Sequence, residues 1–192
     1  CGSHNKLENI SNYMFFGCKS LRYISSEGAE TVGDHAFEGC TGLKQINVRK
    51  ADAIGEYAFE GCTNLKNIYA GAAAFSSYAF HNCSSLISVS GGYNAYGSEG
   101  CFMGCGNLEE NCLSYVGKRV FQDCVNLKRI GGNKLILNEV DTCAFKNCRS
   151  LEADIVTCSE PYEFYHYVSG EGVDDMRVFD SAFVGSGIKS VT

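Results

Sequence analysis

The stretch YAFEGCTNLKNI, Tyr57 to Ile68, has a near copy upstream in HAFEGCTGLKQI, His35 to Ile46, and another downstream in YAFHNCSSLISV, Tyr78 to Val89. Aligning every copy on its Phe gives Phe15, Phe37, Phe59, Phe80, Phe102, Phe121, Phe145 and Phe183, with most steps near 22 residues. Three residues after each of the first seven stands a Cys, at Cys18, Cys40, Cys62, Cys83, Cys105, Cys124 and Cys148. Three further on stands a Leu, at Leu21, Leu43, Leu65, Leu86, Leu108, Leu127 and Leu151. A period in this range is the signature of a leucine-rich solenoid, in which one coil cannot bury its own apolar face and must be stacked on its neighbours.

Each unit reads as one coil. In LKQINV, Leu43, Ile46 and Val48 point inward from a short strand while Gln45 and Asn47 point out, as period-two alternation requires. The segment IGEYAFEGC then turns the chain back, with Ala-Phe on a short turn or 3₁₀ piece that drops the ring into the core. Coils stacked about 4.8 Å apart align like positions into columns of Phe, Cys and Leu, so Phe37, Cys40, Leu43, Phe59, Cys62 and Leu65 are core. The expected fold is a right-handed solenoid of about eight coils, with one parallel strand layer and turns or 3₁₀ pieces opposite. It forms a single domain over 1–192, with 1–5 outside the repeat and 152–178 inserted between the seventh and eighth copies.

The unit I-G-x-x-A-F-x-G-C-x-x-L-x-x-I resembles the BspA-like leucine-rich repeat family, found in surface proteins of host-associated bacteria and in parasitic protists. The resemblance runs from about Leu7 to Thr192. It implies a surface-exposed or secreted recognition module that binds a host protein, a glycan or another cell, in the manner of an adhesin. An intracellular protein-interaction scaffold is the alternative. The family commonly follows its strand with Ile-Pro, whereas this chain has one Pro, Pro161, outside any strand. Cys1 reads either as part of a foreign remnant in CGSH or as the lipid-bearing first residue of a mature bacterial lipoprotein.

Composition agrees with a folded, non-nucleic-acid-binding chain: 45% hydrophobic, twelve Phe, eleven Tyr and a formal charge of -6. No apolar run approaches the roughly 18 residues of a membrane helix. A monomer, or a part of a longer chain, follows from the repeat.

Twelve Cys raise disulfide and metal chemistry. The column Cys read instead as buried thiols that donate weakly to turn backbone, because parallel side chains in register do not reach the dihedral a disulfide needs. Cys143 and Cys158 are the pair placed to bridge, and otherwise the most reactive thiols. No C-x-x-C or H-x-x-x-H pair points to metal, and no nucleophile elbow, phosphate loop or dinucleotide fingerprint points to catalysis or a cofactor. His35 shares its repeat position with Tyr13, Tyr57 and Tyr78, which indicates packing.

Function therefore falls to the surface. The outward strand positions offer Tyr23, Gln45, Asn47, Arg49, Asn67, Tyr69 and Arg129 as ligand contacts, and the insertion offers Tyr162, Phe164 and Tyr165. Beside the Leu column run Arg22, Lys44, Lys66, Ile87, Glu109, Lys128, Glu152 and Lys189, either a solvated edge or a stripe for acidic protein or sulfated glycan. Asp34, Glu56, Glu99 and Asp180 form an acidic column three residues before Phe. The fifth copy is pinched and carries Asn111 at an inward position, where a register slip turning Cys112 inward is favoured over a buried amide bonded to loop backbone.

Overall fold

The computed structural model describes residues 9–71, 74–90, 95–111, 113–130, 135–136, 139–151, 155–156, 177–178 and 181–188. The eight Phe form one continuous stack from Phe15 to Phe183, with neighbouring centroids 5.0 to 5.8 Å apart and planes within 15° of parallel. The main strand layer is a six-stranded parallel sheet of Tyr23–Ser25, Gln45–Val48, Asn67–Ala70, Ser88–Ser90, Glu110–Asn111 and Arg129–Ile130, in chain order. Its register keeps Ile24, Ile46, Ile68 and Val89 in one inward file. Phe37, Cys40, Leu43, Phe59, Cys62 and Leu65 are fully buried in a single apolar core.

The opposite side carries the expected turns, without 3₁₀ pieces among the described residues, and adds a layer that was not expected. A second parallel sheet runs there, built from Thr31–Val32, Ala53–Ile54, Ala74–Phe75, Ala95–Gly97 and Leu113–Val116. Between the layers lie turns, and no helix occurs among the described residues. The backbone gives the reason. Each turn holds two left-handed residues four apart, such as His35 (φ 56°) with Gly39 (φ 69°) and Tyr57 (φ 53°) with Gly61 (φ 68°). A left-handed residue breaks a right-handed helix and costs about 1–2 kcal/mol outside glycine.

The return is a complete hydrogen-bond account. In the second coil the N–H groups of Ala36, Glu38 and Cys40 bond back to Gly33, His35 and Phe37 within the turn, while those of His35, Phe37 and Gly39 donate to Glu56, Ala58 and Glu60 of the next coil at 2.7 to 2.8 Å. Alternate amides thus point along the solenoid axis and join each turn to the next. The aromatic residues at the left-handed position also stack, Tyr13 on His35 at 4.7 Å, His35 on Tyr57 at 5.1 Å and Tyr57 on Tyr78 at 5.2 Å. The ladder stops at Gly100, where a Cβ would collide with the Tyr78 ring.

The fifth coil is pinched as its length requires, with strand Glu110–Asn111 separated by one residue from strand Leu113–Val116 and an irregular register inside the latter. The slip does not occur. Asn111 keeps the inward position opposite Ile130, only 7% exposed, and its Oδ1 accepts the Leu113 N–H at 3.0 Å. The shortened turn leaves an amide without a carbonyl in reach, and the Asn side chain supplies the acceptor. The Cys112 side chain lies outside the described residues.

Past Leu151, Ile155–Val156 pairs with Leu135–Ile136, and Arg177–Val178 with Glu139–Val140, so both ends of the long segment return to parallel pairing. Tyr162, Phe164 and Tyr165 lie outside the described residues.

Candidate functional site

The interior is chemically quiet. Each column thiol from the second coil onward donates to the Phe carbonyl of the coil before: Cys40 to Phe15, Cys62 to Phe37, Cys83 to Phe59, Cys105 to Phe80, Cys124 to Phe102 and Cys148 to Phe121, at 2.9 to 3.1 Å. From Phe15 to Phe121 that same carbonyl also accepts the Cys N–H of its own coil, so both lone pairs are used. A thiol is small enough for the column and brings the weak donor that Ala lacks. Burial pushes Cys40 up to about 11 and Cys148 up to about 12, and holds Cys62, Cys83, Cys101, Cys105 and Cys124 well above the ordinary thiol range. None of these is a thiolate nucleophile at neutral pH.

Two cysteines depart from expectation. Cys18, expected in the buried column, is exposed, since among the described residues no earlier coil offers it a carbonyl or covers it. Cys143, considered for a bridge to Cys158, carries a free, half-buried thiol, and Cys158 lies outside the described residues. Alkylation of native protein without reductant is expected to modify Cys18 and Cys143 rapidly, and the seven buried thiols only after denaturation. Mass spectrometry of the peptides checks this, and disulfides through Cys40 to Cys148 would overturn the stacking.

Outside, two side-chain rows cross the main sheet. Register aligns Tyr23, Gln45, Asn67, Ser88, Glu110 and Arg129 in one, and Ser25, Asn47 and Tyr69 in the other. Tyr23 is 65% exposed. Between the first two strands lies a shallow depression of about 290 Å³ lined by Tyr23, Ile24, Ser25, Gln45 and Asn47. Asn47 donates to Glu27 at 3.0 Å, while its own Oδ1 is buried without a partner among the described residues. Asn67 accepts the Ser88 hydroxyl at 3.3 Å. Arg49 sits just past its strand with the guanidinium 5.7 Å from the Tyr69 ring centre, a cation–π contact.

The two ends of this face differ in charge. Arg129 is held by Glu110 and Lys128 by Glu109, each at 2.9 Å, so the far end is neutralised. Glu110 is missing from the sequence-derived row although it stands two residues after Leu108, the spacing that places Ser88 and Arg129. The exposed Arg22, Lys44 and Lys66 form no ion pair among the described residues. Two members of the acidic column on the turn edge are engaged: Asp34 accepts the Glu56 N–H at 2.8 Å, and Glu99 meets Tyr78, Arg119 and Lys118, while Asp180 lies outside the described residues.

A solenoid of stacked parallel strands with Phe, Cys and Leu columns defines a leucine-rich repeat protein. Residues 3–109, 51–152 and 97–167 match the BspA type Leucine rich repeat region, in six copies. The chain belongs to the BspA-type leucine-rich repeat family. Among solved structures it is similar to the T. pallidum Leucine Rich Repeat protein (TpLRR), at 21% identity and a TM-score of 0.48 over 68% of this chain and 72% of that one. It is also similar to a leucine-rich repeat protein from Bacteroides ovatus ATCC 8483, at 20% identity and a TM-score of 0.41 over 77% of this chain and 58% of that one. No curated protein matches the chain. Leucine-rich repeat proteins are typically protein-interaction modules and generally non-catalytic. Among the described residues no helix is long and apolar enough to cross a membrane.

Proposed function

We propose that this protein is a non-catalytic recognition module that works at the cell surface or after secretion, engaging a host macromolecule or another cell through the outer face of its six-stranded sheet. The carrying observation is the in-register row Tyr23, Gln45, Asn67, Ser88, Glu110 and Arg129, a rigid line of polar and aromatic groups on an otherwise hydrogen-bonded scaffold. Repeat arrays bind through such extended faces, by many shallow contacts. The surface location rests on family membership, because the BspA-type family is often surface-associated.

A second reading, an intracellular scaffold using the same face, is favoured by Cys18 and Cys143, free and accessible thiols that a reducing compartment preserves. Labelled protein applied to intact cells and to a cytosolic extract separates the two. Binding to intact cells is expected, weakened about tenfold by the double substitution Tyr23→Ala and Tyr69→Ala and unaffected by Tyr13→Ala on the turn edge. Unchanged binding by the double variant would remove the strand face as the site. Retention from cytosol alone would favour the scaffold.

A further inference from the structure

We propose that the strand face of the first three coils binds an anionic polysaccharide, an inference that rests on reading this face as the recognition surface. Cations stand one residue before the polar row in each of these coils, at Arg22, Lys44 and Lys66. Their backbones are joined coil to coil, Lys44 N–H to Arg22 and Lys66 N–H to Lys44, so they run along the axis at the coil spacing of about 4.8 Å. The equivalent positions farther along are Ile87 and then the Glu109 and Lys128 pair. Positive charge is thus left unneutralised at one end of the face and cancelled at the other.

The chemistry beside the stripe selects among polyanions. Tyr23 offers an exposed ring on which a sugar can lay its apolar face, and Gln45 and Asn67 offer amides that both donate to and accept from hydroxyls. Among the described residues the first aliphatic side chain exposed in this file is Ile87, one coil beyond Lys66, so within the three coils the row is polar and aromatic, whereas a protein partner concentrates its binding energy in apolar anchors. A polymer lying along the stripe crosses the strands and cannot add to a sheet edge, so recognition rests on side chains alone.

Arg22 is also seated in advance. Its Nη1 donates to the Lys19 carbonyl at 3.1 Å and lies over Gly42, where a Cβ would collide with it. The formal charge of -6 is spread over the whole chain, and repulsion from carboxylates farther than about 8–10 Å is screened at physiological salt.

The test measures binding of a fluorescent heparin oligosaccharide to the whole protein near about 0.1 M salt, with hyaluronan, neutral dextran and poly-L-glutamate of matched charge as competitors. Heparin is expected to bind, to weaken about tenfold in the double variant Lys44→Ala and Lys66→Ala, and to change less than about twofold in Lys118→Ala with Lys128→Ala, which removes the same formal charge from paired cations outside the first three coils. Arg22→Ala should weaken it as well, because it removes the third cation of the stripe. Competition by hyaluronan would assign the anion to carboxylate, and its failure beside heparin binding would assign it to sulfate; either supports the proposal. Equally tight binding of poly-L-glutamate would overturn it in favour of an acidic protein, leaving the strand face as the recognition surface. Equal losses in the two double variants, or no binding of any polyanion, would also overturn it, while the tyrosine variants on intact cells judge the recognition reading separately.

Discussion

Raising the pH to about 10 is expected to unfold this protein in one cooperative step, well before backbone chemistry intervenes. Seven thiols are fully buried, at Cys40, Cys62, Cys83, Cys101, Cys105, Cys124 and Cys148, and burial raises the pKa of every one of them. A folded-state pKa above the unfolded value means that the native chain holds more protons once pH exceeds about 8.5, so stability is full below that pH and falls as pH climbs toward the folded pKa. An unfolded thiol gains about 2 kcal/mol from ionising at pH 10, hence about 14 kcal/mol for the seven, against a typical domain stability of 5–15 kcal/mol. In protein whose accessible thiols, Cys18 and Cys143 among them, have first been alkylated, circular dichroism and thiolate absorbance recorded in the same titration should change together. Thiolate appearing well before the fold is lost would mean that the column is open to water. The effect should shrink in proportion as column Cys are replaced by Ala, although each replacement also removes one S–H to carbonyl bond.

The solenoid was legible because a Phe, a Cys and a Leu each recur in register, and a core column needs nothing more than recurrence. The second sheet was not. Thr31–Val32 and Ala53–Ile54 are two residues long, too short to show a period of two, and they become strands only because neighbouring coils pair them. The left-handed turns were hidden for a related reason: Tyr57 and His35 carry side chains that disfavour positive φ, and the inter-coil hydrogen bonds that compensate are not visible in one coil. At Asn111 the general penalty for a buried amide pointed to a slipped register, while the short turn made that amide the nearest acceptor for Leu113. On the surface, the outward row could be read from alternation, but its energetic division could not. Arg129 is legible as an outward residue, but its ion pair with Glu110 on the preceding strand is not. Arg22 looks like any solvated cation until Gly42 is seen beneath it.

Replacing Phe80 by Ala is expected to cost about 3–5 kcal/mol and to divide the protein into two independently melting parts. The ring sits between Phe59 at 5.2 Å and Phe102 at 5.1 Å, with Phe75 edge-on at 5.6 Å. Phe75 is itself edge-on to Phe102 at 5.6 Å, so this one position joins the columns of two layers across three coils. A cavity there cannot collapse, because the coils on both sides are fixed at strand spacing by the hydrogen bonds of Ala58, Phe59 and Phe80 backbone to their neighbours. In a solenoid, stability is close to a sum of coil terms and nearest-neighbour interfaces. Removing a central ring weakens two interfaces at once, whereas Phe15→Ala, at a half-exposed ring with one neighbour, should cost only about 1–2 kcal/mol and leave one transition. Urea unfolding followed by circular dichroism, with hydrogen exchange mapped along the chain, distinguishes the two. For Phe80→Ala, exchange protection is expected to fall on the first three coils separately from the rest. Equal losses for the two substitutions, or a single transition in both, would show that cooperativity is carried by the backbone ladders and that the Phe stack fills space without coupling the coils.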